Sequence, residues 1–292
     1  MHTLSPDKEP IAVLVTLDAL YLRPLCVMLR SLAARTPERD FRVFVLHSSL
    51  TPADLDAVRR AIEGCRMTLE EIRVSGGGLD GAPTTDRYPR EMYYRIFAAQ
   101  VLPPELDRVL YLDPDVLAIN PVEKLYATPM GDALFAACSH VHASLRKLNE
   151  LRLGMKKDAP YINSGVMLLN LSRLRREQHP ETVQEWLAEH KSLFLPDQDV
   201  ISTLYGDRIL LLDALQYNLG EKFYLSCRLR PRSVGEGRPD LAWVRQNTVL
   251  IHYCGRNKPW KPRYIGELGV FYDEFLRTGR APFPARCMNS IG

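Results

Sequence analysis

The chain has 292 residues, of which 46% are hydrophobic and 25% are charged, and its formal net charge is +3. This composition is that of a folded domain and excludes a chain disordered throughout. The small charge, without a recognisable nucleic-acid-binding motif, argues against DNA or RNA partners. No apolar run reaches the ~18 residues of a membrane span, and the N-terminus lacks the apolar core of a signal peptide. With six scattered cysteines and no C-x-x-C pair, we expect a reducing, cytoplasmic setting rather than a zinc ribbon or a disulfide scaffold.

Short apolar runs alternate with helical patterns in the first half of the chain. The apolar runs, rich in β-branched and aromatic residues, cover 11–17, 41–47 and 108–113. The helical patterns cover 22–35, 52–64 and 90–102. Thr51 is a suitable N-cap for the second helix, with Pro52 at its first position. This alternation predicts an α/β fold whose Rossmann-like, mostly parallel central sheet has helices on both faces.

The second half of the chain is less regular. It predicts strands at 134–139, 161–169 and 249–254 and helices at 142–152, 180–190 and 197–205. Two segments are interpreted as loops: 75–89, rich in Gly, Pro and Thr, and 226–247, with five arginines against two acidic residues. The glycines of the first loop lack the spacing of a phosphate-binding loop. The arginines of the second fit a solvated surface or, alternatively, a surface for an anionic acceptor or a membrane.

Asp113 and Asp115 stand two residues apart at the end of a predicted buried strand. In an extended chain, residues i and i+2 point the same way, so the two carboxylates would converge at the edge where open α/β sheets bind ligands. Their repulsion favours a cation between them. This spacing arises about once by chance among the 18 aspartates of the chain. A plain turn at the strand end is therefore the alternative, and Asp54 and Asp56, on a predicted helix, are interpreted as solvent-facing.

His252 ends the apolar strand at 249–254 and is followed by Gly255 and Lys258. A histidine in such a strand is commonly a core residue, and a metal ligand is the alternative. Gly255 would let the backbone approach a ligand closely, and Lys258 could pair with a phosphate. Beside Asp113 and Asp115, one imidazole and several oxygens suit Mn²⁺ or Mg²⁺ rather than structural zinc.

Two further motifs place polar residues within or beside apolar segments. Asp197 and Gln198 open a predicted helix, where acidic residues favour the N-terminus, so a simple cap is one interpretation. Asn163, Ser164 and Gly165 interrupt the strand at 161–169, which indicates either a structural bulge or a contact with sugar hydroxyls.

Four motifs together resemble family 8 of the retaining glycosyltransferases, which have the GT-A fold. They are VLYLDPDVL (109–117), YINSGVMLLNL (161–171), PDQD (196–199) and HYCGRNKPW (252–260), in the family's order. The motifs resemble those of bacterial lipopolysaccharide α-galactosyltransferases more than those of general-stress glycosyltransferases and glycogenin. The resemblance implies a GT-A catalytic domain over 1–265 and a short C-terminal extension over 266–292, packed on the domain or trailing from it.

The resemblance also implies a role for each matching position. Asp113, Asp115 and His252 would bind Mn²⁺, with Mg²⁺ as the alternative. The positions that match contacts with the UDP-sugar are Asp18 and Tyr21 at the uracil ring, Arg95, Asp113, Asn163 and Gly165 near the donor, and Gly255 and Lys258 at the diphosphate. Asp197 and Gln198 match catalytic positions, with Gln198 nearest the anomeric carbon.

The implied reaction transfers galactose or glucose from a UDP-sugar to a saccharide acceptor with retention of configuration. Because an amide oxygen is weakly basic, Gln198 is a poor nucleophile, which favours front-face attack by the acceptor. The galactosyltransferase branch has an acidic residue where this chain has Ser139 and His140, so the identity of the acceptor stays open. At most weak, peripheral contact with the inner membrane is expected.

Three other functions are compatible with parts of this pattern. A UDP-sugar-forming nucleotidyltransferase would need a Gly-rich basic loop after the first strand, where this chain reads TLDALYLRP. A non-catalytic protein that binds sugar nucleotides would not need the intact set of polar positions. Self-glucosylation, as in glycogenin, is a third possibility.

Overall fold

The structure is a computed structural model that describes residues 9–74, 91–140, 147, 150–190, 193, 195–229 and 239–278. The predicted loop at 75–89 lies outside the described residues. Most of the predicted helix at 142–152 lies outside them too, although its described end from residue 150 is helical. None of the helices in the described part of the chain has both the length and the apolarity needed to cross a membrane.

The strands form one large sheet and one small ribbon. They are β1 (Ile11–Thr16), β2 (Phe41–His47), β3 (Met67–Arg73), β4 (Arg108–Leu112), β5 (Val116–Ala118), β6 (Phe135–Cys138), β7 (Asn163–Asn170), β8 (Ile209–Leu212) and β9 (Leu250–His252). The large sheet has the order β3-β2-β1-β4-β7-β6-β8, and β5 pairs with β9 in an antiparallel ribbon. Within the sheet, β7 is antiparallel to β4 and β6, whereas the other neighbours are parallel. The prediction of a mostly parallel central sheet is therefore confirmed.

The helices connect these strands. They are α1 (Leu22–Arg35), α2 (Pro52–Ala61), α3 (Glu91–Tyr94), α4 (Ala98–Val101), α5 (Glu123–Tyr126), α6 (Leu171–Glu177), α7 (Pro180–Glu189), α8 (Pro196–Tyr205), α9 (Ala214–Tyr217), α10 (Glu221–Leu229), α11 (Leu241–Asn247) and α12 (Gly269–Thr278). A short 3₁₀ turn over Arg95–Phe97 joins α3 to α4, so the predicted helix at 90–102 is not a uniform α-helix.

Helix α2 shows how local chemistry sets a boundary. Thr51 accepts the N–H of Asp54, and the Asp54 carboxylate accepts the N–H of Thr51 in return, which forms a capping box ahead of Pro52. The predicted start is thus confirmed. The helix ends at Ala61, three residues before the predicted end, and Gly64 then has a φ of +78°.

The prediction of a loop over 226–247 is wrong for its described parts. Residues 226–229 complete α10, and α11 begins after Asp240, whose side chain accepts the N–H of Trp243 (2.7 Å). Val244 is fully buried, and Arg245 pairs with Glu274 at 2.8 Å. The number of arginines in this segment suggested a loop, but a helix can carry charged side chains on one face and apolar side chains on the other. Residues 230–238 lie outside the described residues.

Apolar clusters lie on both faces of the sheet. One contains the buried residues of α1 and α2, and the other contains those of α3, α4, α6, α7 and α8. A third cluster lies under α10, α11 and α12, where Phe271 and Phe275 of α12 share a buried group with Tyr253. Because β1 and β4 are parallel, their carboxyl ends lie at the same end of the sheet.

Candidate active site

The strand ends bring the predicted polar residues to one edge of the sheet. Because β1 and β4 are parallel, Asp18 after β1 and Asp113 after β4 leave the sheet at the same edge. Because β7 is antiparallel to β4, its first residues, Asn163 to Gly165, begin at that edge, and the Asp113 N–H donates to the Gly165 carbonyl (2.8 Å). The pairing of β5 with β9 adds His252, the last residue of β9.

Asp113, Asp115 and His252 form one cluster, in which a potential ligand atom of each residue lies within 4.8 Å of the others. His252 Nε2 is 3.2 Å from Asp115 Oδ1 and 3.6 Å from Asp113 Oδ2. The sequence predicted that the two aspartates converge as residues i and i+2 of an extended strand, and this reason is wrong. The strand ends at Leu112, and the turn that follows it brings the two carboxylates together. His252 is 2% exposed, so it is both a buried residue and a partner of the carboxylates.

Two features of the cluster fit a divalent cation. Asp115 Oδ1 is buried and has no aligned hydrogen-bond donor, which is a costly state for a carboxylate oxygen that a cation would relieve. A Cβ on Gly165 would lie 2.1 Å from His252 Cε1 and 2.7 Å from Asp113 Oδ2. Only a glycine at 165 therefore leaves the imidazole and the carboxylate room to converge.

Lys258 supplies a positive charge next to this cluster. Its Nζ donates to Asp115 Oδ2 and to the Tyr253 carbonyl (2.8 Å), and the residue is buried. Burial disfavours the charged form of both Lys258 and Asp115. Even so, His252 and Lys258 hold the pKa of Asp115 well below its usual range, and Asp115 raises the pKa of Lys258. Both side chains therefore stay charged at neutral pH.

Aromatic rings flank the Lys258 ammonium. Its Nζ lies 5.7 Å from the ring centroid of Tyr21 and 5.6 Å from that of Trp260, and the two rings meet edge to face at 6.5 Å. Asp18 accepts an N–H of the short 3₁₀ turn that contains Tyr21 and so caps that turn. Gly255 has a φ of +95°, a conformation that favours glycine.

Arg95 links the cluster to helix α8. Its Nη1 is 2.9 Å from Asp113 Oδ1 and 3.2 Å from Asp197 Oδ2, and the side chain is 8% exposed. The guanidinium lies over the Tyr111 ring at 4.3 Å, and the Tyr111 hydroxyl donates to Asp113 Oδ1 (2.6 Å). Because Arg95 bridges two carboxylates from distant segments, it fixes their separation.

The interpretation of Asp197 as a helix cap is wrong. Its Oδ2 instead accepts from the Ser164 hydroxyl (2.6 Å) and pairs with Arg95, and the residue is 3% exposed. Burial raises the pKa of Asp197, although Arg95 and Ser164 oppose that rise. Gln198 follows it in the first turn of α8 and is nearly buried. The residue whose side chain accepts the N–H of Leu195 at the start of the helix is Asp199, through Oδ2 at 3.4 Å.

The interruption of the strand at Asn163–Gly165 coincides with an irregularity in the strand pairing, which fits the first of the two interpretations, a structural bulge. The pairing of β6 with β7 shifts register between Ala137 and Cys138, opposite Asn163. The Asn163 carbonyl Oδ1 accepts the Gly165 N–H (3.1 Å) and also the side-chain amide of Asn218 (3.0 Å). Contact of these residues with sugar hydroxyls stays a prediction.

Sequence reasoning missed two residues of this site. Tyr111 lies two positions before Asp113, so the alternation of the strand could have identified it. Asn218 lies in the short segment between α9 and α10 and gave no periodic signal. The main-chain carbonyl of Asn218 accepts a hydrogen bond from the His140 ring, and that ring stacks on Phe223 at a centroid distance of 5.1 Å. Burial lowers the pKa of His140 to about 4.

Three similarities to known proteins bear on this site. The profile of Glycosyl transferase family 8 matches residues 12–263. General stress protein A of Bacillus subtilis is 25% identical over 250 residues, which are 83% of this chain and 85% of that protein. A lipopolysaccharide 1,2-glucosyltransferase of Escherichia coli is 25% identical over 253 residues, which are 86% of this chain and 73% of that protein.

A solved structure extends the comparison to the fold. The galactosyltransferase LgtC, in complex with donor and acceptor sugar analogs, matches with a TM-score of 0.80 at 24% identity. The match covers 96% of this chain and 100% of the LgtC chain. The two proteins therefore share the GT-A arrangement of sheet and helices.

Proposed function

Because this chain belongs to glycosyl transferase family 8, we propose that it is a retaining hexosyltransferase that transfers galactose or glucose from a UDP-sugar to a saccharide acceptor. The family membership confirms the resemblance found in the four motifs. The observation that supports the proposal most directly is the convergence of Asp113, Asp115 and His252 beside Lys258. Two carboxylates and an imidazole suit a divalent cation, and the ammonium beside them suits a diphosphate.

The proposed cofactor is Mn²⁺, with Mg²⁺ as the alternative, held by Asp113, Asp115 and His252. Bound there, the ion would neutralise negative charge that develops on the leaving diphosphate. Lys258 would add a point charge for a phosphate oxygen, and the Gly255 backbone could approach the diphosphate closely. We propose that Tyr21 and Asp18 bind the uracil ring next to the diphosphate.

The polar residues around Asp197 support front-face attack. Asp197 is held by Arg95 and Ser164 and is nearly buried, so it suits stabilisation of positive charge on the sugar better than covalent attack. Gln198 has an amide oxygen of low basicity. In the proposed reaction, the C1–O bond breaks and its electron pair leaves on the diphosphate. The acceptor hydroxyl oxygen bonds to C1 from the same face, and its proton passes to the departing phosphate oxygen.

The acceptor and cellular setting are also proposals. A saccharide related to lipopolysaccharide is supported by the name of the Escherichia coli relative. We propose a cytoplasmic enzyme with at most peripheral contact with the inner membrane. We propose further that residues 1–265 form its catalytic domain and 266–292 an extension, of which α12 packs against Tyr253.

The test is an assay of UDP release. The purified chain is incubated with UDP-galactose or UDP-glucose, with and without Mn²⁺, and with and without a panel of saccharide acceptors. We expect Mn²⁺-dependent release from one of the two donors, accelerated by an acceptor, and a product whose anomeric configuration matches that of the donor by NMR. Binding of UDP-sugar without any release would contradict the proposal, as would an inverted product.

A further inference from the structure

Asn218 lies between the candidate ion site and the candidate sugar site. It is fully buried, its Oδ1 is 3.0 Å from His252 Nδ1, and its Nδ2 is 3.0 Å from Asn163 Oδ1. We propose that Asn218 is a positioning residue that fixes the tautomer of His252, so that Nε2 presents a lone pair to the cation. This inference rests on the function proposed above.

The hydrogen positions follow from one backbone group. The N–H of Gly165 can only donate, and it faces the Asn163 side chain at 3.1 Å. The atom of Asn163 at that point is therefore the carbonyl oxygen, since an amide nitrogen could not accept. Asn218 lies against the same oxygen, so it must present its NH₂ group there. Its carbonyl oxygen is consequently the atom that faces His252 Nδ1.

The orientation of Asn218 then determines the protonation of the imidazole. A ring nitrogen that faces a carbonyl oxygen at 3.0 Å must carry a proton in order to bond with it. In neutral His252 the proton is therefore on Nδ1, and Nε2 has the free lone pair. Nε2 faces Asp115 Oδ1 at 3.2 Å and Asp113 Oδ2 at 3.6 Å, where the other tautomer would present an N–H. Only the first tautomer can bind a cation between these groups.

The backbone around Asn218 holds this arrangement in place. The next residue, Leu219, donates its N–H to Leu250 O (3.0 Å) and accepts from the His252 N–H (2.9 Å). The segment that contains Asn218 is therefore hydrogen-bonded to the same strand as His252. Through Asn163, the side chain of Asn218 also reaches the start of β7, where contacts with the donor sugar are proposed. A change at 218 should thus affect both cation affinity and donor binding.

Two substitutions separate these effects. Asn218→Leu removes both side-chain hydrogen bonds, whereas Asn218→Asp keeps an acceptor for His252 Nδ1–H and loses the donor to Asn163. Asn120→Leu is the matched control, because the Asn120 side chain also makes two hydrogen bonds, which it donates to the carbonyls of Arg245 and Thr248, and neither of these is a residue of the site. Thermal unfolding of all variants shows whether each one is folded.

Mn²⁺ binding is measured by electron paramagnetic resonance in the presence of UDP. Loss of a hydrogen bond that orients a metal-binding histidine costs about 10- to 100-fold in metal affinity, so we expect Asn218→Leu to lose that much. Asn218→Asp should stay within a few-fold of the wild type in Mn²⁺ affinity and raise the KM for the donor. Asn120→Leu should match the wild type in both. Wild-type Mn²⁺ affinity in a folded Asn218→Leu variant would overturn the proposal.

A metal-free measurement tests the tautomer itself. Nitrogen-15 NMR of labelled histidines, with His252→Gln used for assignment, should show the Nδ1–H tautomer in the wild-type chain and a mixture in Asn218→Leu. An Nε2–H tautomer in the wild type would overturn the inference even if Mn²⁺ binds. An Nδ1–H tautomer in a wild-type chain that neither binds Mn²⁺ nor releases UDP would confirm the hydrogen bond and refute the proposed function.

Discussion

Two ion pairs at opposite ends of the parallel strands have similar chemistry and different surroundings. Arg66 and Asp40 lie just before β3 and β2, where their 2.8 Å pair has side chains 55% and 51% exposed. Lys258 and Asp115 lie beyond the carboxyl ends of the strands, with side chains 6% and 8% exposed. Water can replace either partner in the first pair, whereas each charge of the second depends on the other.

The difference extends to the residues around each pair. The edge with Asp115 also contains Asp113, Asp197, Arg95 and His252, all close enough to interact. A fold that buries this many charges at one edge gains little stability from them, because desolvation offsets their attraction. Such clusters are typical of functional sites. Substitutions matched between the two edges can test this interpretation.

The largest effect is expected for Asp115→Asn. This change removes a charge from the proposed cation site and leaves Lys258 without its buried partner, so we expect kcat/KM for transfer to fall about 1000-fold, the equivalent of several kcal/mol. The measurement is Mn²⁺-dependent UDP release. Asp40→Asn, at the exposed pair, is the control and should leave kcat/KM unchanged. A near-normal rate in Asp115→Asn would remove this carboxylate from the site.

Arg95→Met should have the largest effect on stability. It leaves the buried Asp197 and the partly buried Asp113 without their shared cation, and breaking a buried pair costs about 3 kcal/mol. The free energy of unfolding in urea measures this loss. Arg66→Met, at the exposed edge, is the matched control and should unfold like the wild type. Equal losses in the two variants would mean that burial does not distinguish these pairs.

Gly165→Ala tests the space inside the cluster. The added Cβ would lie 2.1 Å from His252 Cε1, so the imidazole must move, and a displacement of about 1 Å costs about 100-fold in activity. Gly64→Ala is the control: Gly64 has a φ of +78° with open space around its Cβ position. That variant should lose about 1 kcal/mol of stability and keep its activity. Full activity in Gly165→Ala would show that the ligands do not need this geometry.

A smaller effect is expected from the pH dependence of stability at His140. Burial lowers its pKa from about 6.5 to about 4 in the folded chain, so the unfolded chain takes up a proton first as the pH falls. Stability is therefore fully present above pH 6.5 and is lost as the pH falls towards 4. Between pH 7 and 5 we expect a loss of about 1–2 kcal/mol that is absent in His140→Gln. Parallel pH curves for the two proteins would contradict this assignment.

The local parts of the fold were predictable from the sequence. The apolar run at 41–47 coincides with β2, and Thr51 with Pro52 marks the start of α2. Asp113 was found because a buried strand leads into it, and the other predicted strands begin and end within two residues of their expected bounds. These features depend on neighbours in sequence, where hydrophobic pattern and capping chemistry act directly.

Features that depend on long-range contacts were missed. β3 and β8 are edge strands whose polar or short sequences give a weak pattern, and they become strands only by pairing with β2 and β6. The side chain of Asn218 contacts both Asn163 and His252 because β7 and β9 lie on either side of it. Asp197 likewise pairs with Arg95 only in the folded chain. From the sequence alone, an aspartate at this position cannot be distinguished from one that caps the helix.

The bond between Lys258 and Asp115 joins positions 143 residues apart in the chain. During synthesis on the ribosome, the aspartates emerge long before β9 and the lysine can reach them. A nascent chain therefore carries the acidic turn before the lysine that pairs with it, and the proposed nucleotide site is completed only after residue 258 has left the exit tunnel. A chain that ended before residue 258 would lack the partner of Asp115, and we expect it to have no transferase activity.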